Sequence, residues 1–233
     1  MHEPTLDLVV DLNADLGEEV TDDDALLAVV TSANVACGYH AGNAEIMRAV
    51  CARAAVRGVS IGAQVSYDDR ANFGRVALDV PHDVLRDQVA DQVGTLGAIA
   101  SSCGTSVRYV KPHGALYHRT IDDAAQAAAV LAGSGELPVL GMPGELLAQA
   151  AAAGRIVFHE GFADRAYGPD GRLVPRGDPG AVLDDGDLIA SHAVELAASV
   201  DSVCVHGDTP GAVAHAPAVR RALEAAGWTL RGL

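Results

Sequence analysis

The chain is short of lysine: of its sixteen basic residues, fifteen are arginine and one, Lys111, is lysine. No run of basic residues offsets its 31 acidic ones, and the formal net charge is −15. Phosphate backbones and anionic lipid surfaces are bound through clustered cations, so neither a nucleic-acid nor a membrane partner is expected. Aromatic residues make up only 4%, which argues against an aromatic-rich sandwich. Cys37, Cys51, Cys103 and Cys204 include no C-x-x-C pair, so neither a structural zinc site nor a disulfide framework is expected. No segment approaches the roughly 20 apolar residues of a membrane span, and Met1–Val10 has no basic n-region. A reduced, cytoplasmic protein is the expectation. Three signatures are also missing: the G-x-x-x-x-G-K-[ST] phosphate loop, the G-x-S-x-G elbow and the H-E-x-x-H zinc helix. A nucleotide, if bound, needs another construction or a partner chain.

What the sequence does hold is an alternation. Short apolar runs at Leu6–Asp11, Ala33–Ala36, Val59–Ala63, Val107–Val110, Pro138–Gly141, Ile156–Phe158 and Val203–Val205 are separated by alanine-rich segments of helical character. Helices are expected near Asp22–Thr31, Ala44–Arg57, His82–Ala100, Asp122–Ala132, Gly144–Ala153, Gly186–Ala198 and Gly211–Ala226. In the third, Leu85, Val89, Val93, Leu96 and Ala100 recur at steps of three and four, one face of a helix; the fourth has little but alanine to bury. Pro81, Pro143 and Pro210 stand at helix starts, and Gly58, Gly154 and Gly227 just past helix ends, as capping chemistry requires. Continuous apolar strands alternating with helices mean a parallel sheet covered on both faces. About seven such units favour an α/β fold closed into a (β/α) barrel, although periodicity alone leaves an open sheet possible. No linker or repeat divides residues 1–233, so one barrel domain is expected.

Parallel α/β folds gather functional groups where strands end, and polar clusters follow six of the seven apolar runs. Asp11, Asn13 and Asp15 alternate, so on an extended segment they share one face, fit for a hydrogen-bond network, a metal or a substrate. They can equally cap a turn. Glu18 follows them. His40 lies between Gly38 and Gly42, as a ligand-facing group or a packed one. Gln64 ends the third run. Lys111, the sole lysine, ends the fourth and is expected to polarise a carbonyl or hold a carboxylate or phosphate, with His113 beside it as acid or base; the alternative is a surface lysine. Glu160, Asp164 and Arg165 follow the sixth run. Arg176 lies with Arg165 in the glycine- and proline-rich stretch Glu160–Asp185, a lid or simply a solvated loop. His206 and Asp208 end the seventh run beside Thr209, where they bind an anion or cap a helix.

Five stretches carry a resemblance: DLNADLGE (11–18), SANVACGYHAGN (32–43), VKPHGALYH (110–118), EGFADRAYGPDGRLVPR (160–176) and VCVHGDTPGAV (203–213). Together they resemble the LamB/YcsF lactam-utilisation family, in family order and over almost the whole chain. The resemblance implies a (β/α) barrel related to the polysaccharide-deacetylase and sugar-hydrolase barrels. It implies ATP-dependent opening of 5-oxoproline to L-glutamate, with ATP accompanied by a divalent cation such as magnesium, and with 5-oxoprolinase subunits B and C as partners. In that scheme Asp15, His40, Lys111 and His113 are the catalytic residues. Asp11, Asn13, Glu18, Gln64, Glu160, Asp164, Arg165, Arg176, His206 and Asp208 bind substrate or nucleotide. The chain departs from the family pattern twice: Gln64 stands where histidine is usual, and Asn43 where aspartate is. Those departures weaken any metal site built from Asp15, His40 and position 64. They keep two rivals open, a stand-alone metal-dependent amide or carbohydrate hydrolase and a non-catalytic member of the same complex.

Overall fold

In the computed structural model, which describes residues 8–208 and 211–233, strands and helices alternate along the chain. The strands are β1 (Val9–Leu16), β2 (Ser32–Ala36), β3 (Ser60–Val65), β4 (Val107–Pro112), β5 (Val139–Gly141), β6 (Val157–Phe162), β7 (Ser202–Cys204) and β8 (Thr229–Leu230). The α-helices are α1 (Asp23–Leu27), α2 (Ala44–Arg57), α3 (His82–Ser102), α4 (Gly114–Asp122), α5 (Ala124–Gly133), α6 (Glu145–Ala152), α7 (Gly186–Ala197) and α8 (Ala212–Ala225). Strands β1 to β7 pair in sequence order, every pair parallel, and β1 pairs with both β2 and β7. That closes the seven strands into a barrel. The short β8 adds to Val9 and Val10 of β1. Among the described residues no helix is long and apolar enough to cross a membrane.

The apolar core lies between barrel and helices. On β1, Leu12, Ala14 and Leu16 are fully buried within it. On the same strand Asp11, Asn13 and Asp15 are buried as well, on the opposite face that period-2 alternation dictates. The interior of a (β/α) barrel is ordinarily filled by branched aliphatic side chains; this one is threaded by hydrogen bonds. Asp11 Oδ1 accepts from Thr31 and Ser32, each at 2.7 Å, and Oδ2 accepts from Ser202. Asn13 Nδ2 donates to Ser202 at 2.6 Å, and Asn34 Nδ2 donates to Asn13 Oδ1 at 2.7 Å and Asp15 Oδ1 at 2.9 Å. Tyr109 closes the network by donating to Asn34 Oδ1 at 2.6 Å. Its ring fits only because residue 62 is glycine: a Cβ there would overlap the ring.

Strands β1, β3, β4 and β6 therefore extend past the C-terminal ends of their apolar runs. The apolar pattern places the first at Leu6–Asp11, but it runs Val9–Leu16, so Asp11, Asn13 and Asp15 belong to the strand and do not follow it. Residues 6 and 7 lie outside the described residues, as do Thr209 and Pro210. The alanine-rich α5 does form; Asp123 caps it by accepting from the amides of Ala125 and Gln126. The first helix is shorter than its pattern, Asp23–Leu27, and α4 has no counterpart in the sequence reading. It starts directly at the end of β4, with His113 as its N-cap.

Candidate active site

The C-terminal ends of the strands converge on a cavity of about 350 Å³, within the range of small-molecule pockets. Asp15, Lys111, His113, Tyr117, Phe162, Arg165, Arg176, His206 and Asp208 line it, together with Arg75 and His118. Strand register explains the convergence at its floor: Asp15 lies opposite Asn34, and Gln64 opposite Lys111.

Lys111 is the floor's centre. Its Nζ is 3.0 Å from Asp15 Oδ1 and 2.7 Å from Glu160 Oε1, with all three side chains buried. Tyr117 donates to the other oxygen of Glu160 at 2.9 Å. Burial raises the pKa of Asp15, but Lys111 and the nearby histidines outweigh it and hold the carboxyl below its ordinary range. Burial would strip the proton from Lys111; Asp15, Cys204 and Glu160 keep it well above its usual pKa. Removing the ammonium would leave two buried carboxylates unpaired, a loss of roughly 3–5 kcal/mol. Lys111 is thus fully engaged within the protein. Cys204, a 3.5 Å acceptor from Lys111, is a thiol whose pKa burial raises well above normal, so it is no thiolate nucleophile.

Two histidines beside this floor, His113 and His206, differ. His113 Nε2 is 3.1 Å from the Phe73 carbonyl. A carbonyl only accepts, so Nε2 carries the proton. Burial, and then the neighbouring His40, push the His113 pKa well below normal, so the ring is neutral and its Nδ1 is an acceptor. Gln64 Nε2 donates to that Nδ1 at 2.9 Å and to Glu18 Oε1 at 2.8 Å. His206, by contrast, has Nδ1 2.8 Å from Asp164 Oδ1 and its ring stacked on Phe162. Burial lowers its pKa, the Asp164 carboxylate overrides that, and the net shift is upward.

The rim is cationic. Arg165 is buried; its Nε donates to Ala181 O and one Nη to Val174 O, which ties the 163–185 loop onto itself. Arg176, from the same loop, and Arg75, from the loop after β3, both pair with Asp208. Sequence reasoning misses Arg75 and Tyr117. Arg75 is marked only by its place in the Phe73-Gly74-Arg75 stretch that ends the segment after β3, and Tyr117 only by lying within VKPHGALYH; in the structure Tyr117 falls on the cavity face of α4.

Behind His113 lies a second cluster. Glu18, His40 and His113 are buried, with one donor atom of each within 4.8 Å of the others. Both ring nitrogens of His40 and the Oε1 of Gln64 lack hydrogen-bond partners, although buried polar atoms are rarely left so. One carboxylate and two imidazoles are a donor set of the kind that holds a divalent cation; the His40 nitrogens are open to one, whereas Glu18 Oε1 and His113 Nδ1 are both taken by the Gln64 amide. The set expected from sequence is Asp15, His40 and position 64. Asp15 instead faces Lys111, and Gln64 places an amide N–H₂, not a lone pair, between Glu18 and His113. Gly74 roofs the cluster at φ +66°; a Cβ there would collide with Ser66 Oγ. Asn43, the other departure, caps α2 by accepting from Glu45 N and Ile46 N, a task aspartate and asparagine perform about equally.

A closed parallel barrel with its ionisable groups at the C-terminal strand ends defines a β/α-barrel protein. A carbohydrate esterase from Streptomyces lividans shares the fold, with TM-score 0.54 and 14% identity over 97% of this chain and 92% of its own. The chain belongs to the LamB/YcsF family, whose model matches residues 10–233. The 5-oxoprolinase A subunit of Streptomyces griseus is 54% identical to it, over 96% of this chain and 99% of the relative. The crystal structure of a lactam utilization protein from Thermus thermophilus superposes with TM-score 0.89 at 32% identity, covering 97% of this chain and 100% of the other.

Proposed function

We propose that this chain is the A subunit of a 5-oxoprolinase, opening 5-oxoproline to L-glutamate in an ATP-dependent reaction with subunits B and C. The observation that carries this reading is the gathering of Arg75, Arg165 and Arg176 at the rim of one small cavity, in a chain of net charge −15. Such a cavity suits a small anion. The name of the 54% identical relative supplies the particular substrate.

The charges orient that substrate. The floor holds one ammonium against two carboxylates and so has no surplus for an anion; the rim has three guanidiniums. The ligand's carboxylate lies toward the arginines and its ring amide toward Asp15 and Lys111. Asp15, kept ionised, takes a proton from the attacking water. His206, kept protonated by Asp164, gives one to the leaving ring nitrogen. His113 has both nitrogens engaged and is replaced by His206 in that step. An unstrained five-membered amide is a poor electrophile, and coupling to ATP supplies the activation it lacks.

Glutamate release from 5-oxoproline, measured with this chain plus subunits B and C, tests the reading. Release only with ATP is expected. No glutamate from an assembled complex would overturn it.

The Glu18, His40 and His113 cluster favours a second reading, a metal-dependent amide hydrolase acting alone. A divalent cation held there would polarise a carbonyl or activate water. Glutamate formed without ATP or partners, and abolished by a chelator, would select that reading.

A further inference from the structure

Asp208 is the acid at the centre of the cationic rim, and three loops meet on it. Its own loop follows β7, Arg75 comes from the loop after β3, and Arg176 from the loop after β6. Arg75 Nη2 bonds Asp208 Oδ2; Arg176 reaches the same oxygen at 3.1 Å through Nη1 and the other oxygen at 3.4 Å through Nη2. One carboxylate thus meets two forked cations, the arrangement guanidinium groups make with any carboxylate or phosphate. Two positive charges against one negative leave a surplus, and buried Arg165 adds to it.

Arg75 has a support besides Asp208. Arg75 lies 4.9 Å over the Phe73 ring, whose backbone is held at φ +57°, a left-handed conformation that a bulky residue adopts only where its surroundings impose it. Asp208 itself is largely covered, at 14% side-chain exposure, but Arg75 and Arg176 remain 41% and 28% exposed. Their outer faces are therefore open to solute. Because both guanidiniums can be approached from solvent while they hold Asp208, another oxyanion can take the place of its carboxylate.

We propose that Arg75 and Arg176 form an oxyanion-binding subsite at the cavity mouth, which Asp208 fills as an internal occupant and a ligand's carboxylate or phosphate displaces. The proposal rests on the cavity being the ligand site, and it names the residues that hold the ligand's charged end. Two ligands share this chemistry, the lactam's carboxylate and a nucleotide's phosphate.

Calorimetric titration of the whole chain with 5-oxoproline, neutral pyrrolidin-2-one and inorganic phosphate tests it. Asp208→Asn removes the competing charge and should tighten the displacing oxyanion about tenfold, the value of one charge-assisted hydrogen bond. Affinity for pyrrolidin-2-one should not change. The double variant Arg75→Gln with Arg176→Gln should weaken the same oxyanion by a similar factor. A response confined to 5-oxoproline assigns the subsite to the lactam carboxylate. A response confined to phosphate assigns it to a phosphate-bearing ligand, so the subsite would stand while the carboxylate orientation given above falls. Equal affinities in wild type and Asp208→Asn, or no oxyanion binding by either, with unchanged melting temperatures, would overturn the proposal.

Discussion

His113 and His206 line one cavity, yet their protons are held in opposite ways. Burial acts on both. His113 has His40 stacked on it at 4.0 Å, which adds to the burial effect, whereas His206 has Asp164, which reverses it. Residue type alone makes the two equivalent, and only the neighbours separate them. The consequence is measurable in the pH profile of kcat/KM. A general acid works only while protonated, so turnover should fall as pH rises through the raised pKa of His206. Asp164→Asn removes the group that raises it, so the alkaline limb should move to lower pH. An alkaline limb that stays in place would take His206 out of the proton-donor role.

The elements are legible in the sequence wherever apolar residues mark them and illegible where the barrel interior turns polar. Helix α3 shows its face plainly in Leu85, Val89, Leu96 and Ala100, all buried. Strand β1 does not, because the residues it points into the barrel are acids and an amide that read as a loop. Helix α4 is hidden for a related reason: Pro112 and Gly114 look like a turn, but β4 runs into the helix without one. The candidate site is legible as a set of strand-end clusters. Its pairings are not, since Lys111–Glu160 and Asp164–His206 join positions 49 and 42 residues apart, counting 111 to 160 and 164 to 206. Gly62 is the element-level counterpart, invisible in sequence and required by the Tyr109 ring crossing β3. Gly62→Ala should destabilise the fold by about 3 kcal/mol, the upper end of overpacking costs, read as a lower urea midpoint. Combining it with Tyr109→Leu should recover part of that loss; strictly additive effects would mean the two residues do not compete for the same space.

For the whole molecule, the column of hydrogen bonds from Asp11 up to Asp15 makes stability depend on pH in a way unusual for an acidic protein. Burial, opposed by bonds from Ser202, Thr31 and Ser32, raises Asp11 from 3.8 to about 6. An acid whose pKa is raised on folding stabilises the fold fully below its unfolded pKa and loses that contribution as pH climbs through the folded one. Between about pH 4 and pH 6 the chain should therefore lose on the order of 3 kcal/mol relative to Asp11→Asn, since each pKa unit corresponds to 1.36 kcal/mol. Chemical denaturation of both chains across that window checks the sign; parallel curves would mean Asp11 is ionised in the fold.

The buried position of the sole lysine has a consequence for chemical probing. With Lys111 locked between Asp15 and Glu160, the folded chain offers acylating reagents no accessible side-chain amine. Covalent tagging of that one ε-amine would then act as a clock for barrel opening, recording each excursion of the interior into water at a single known position.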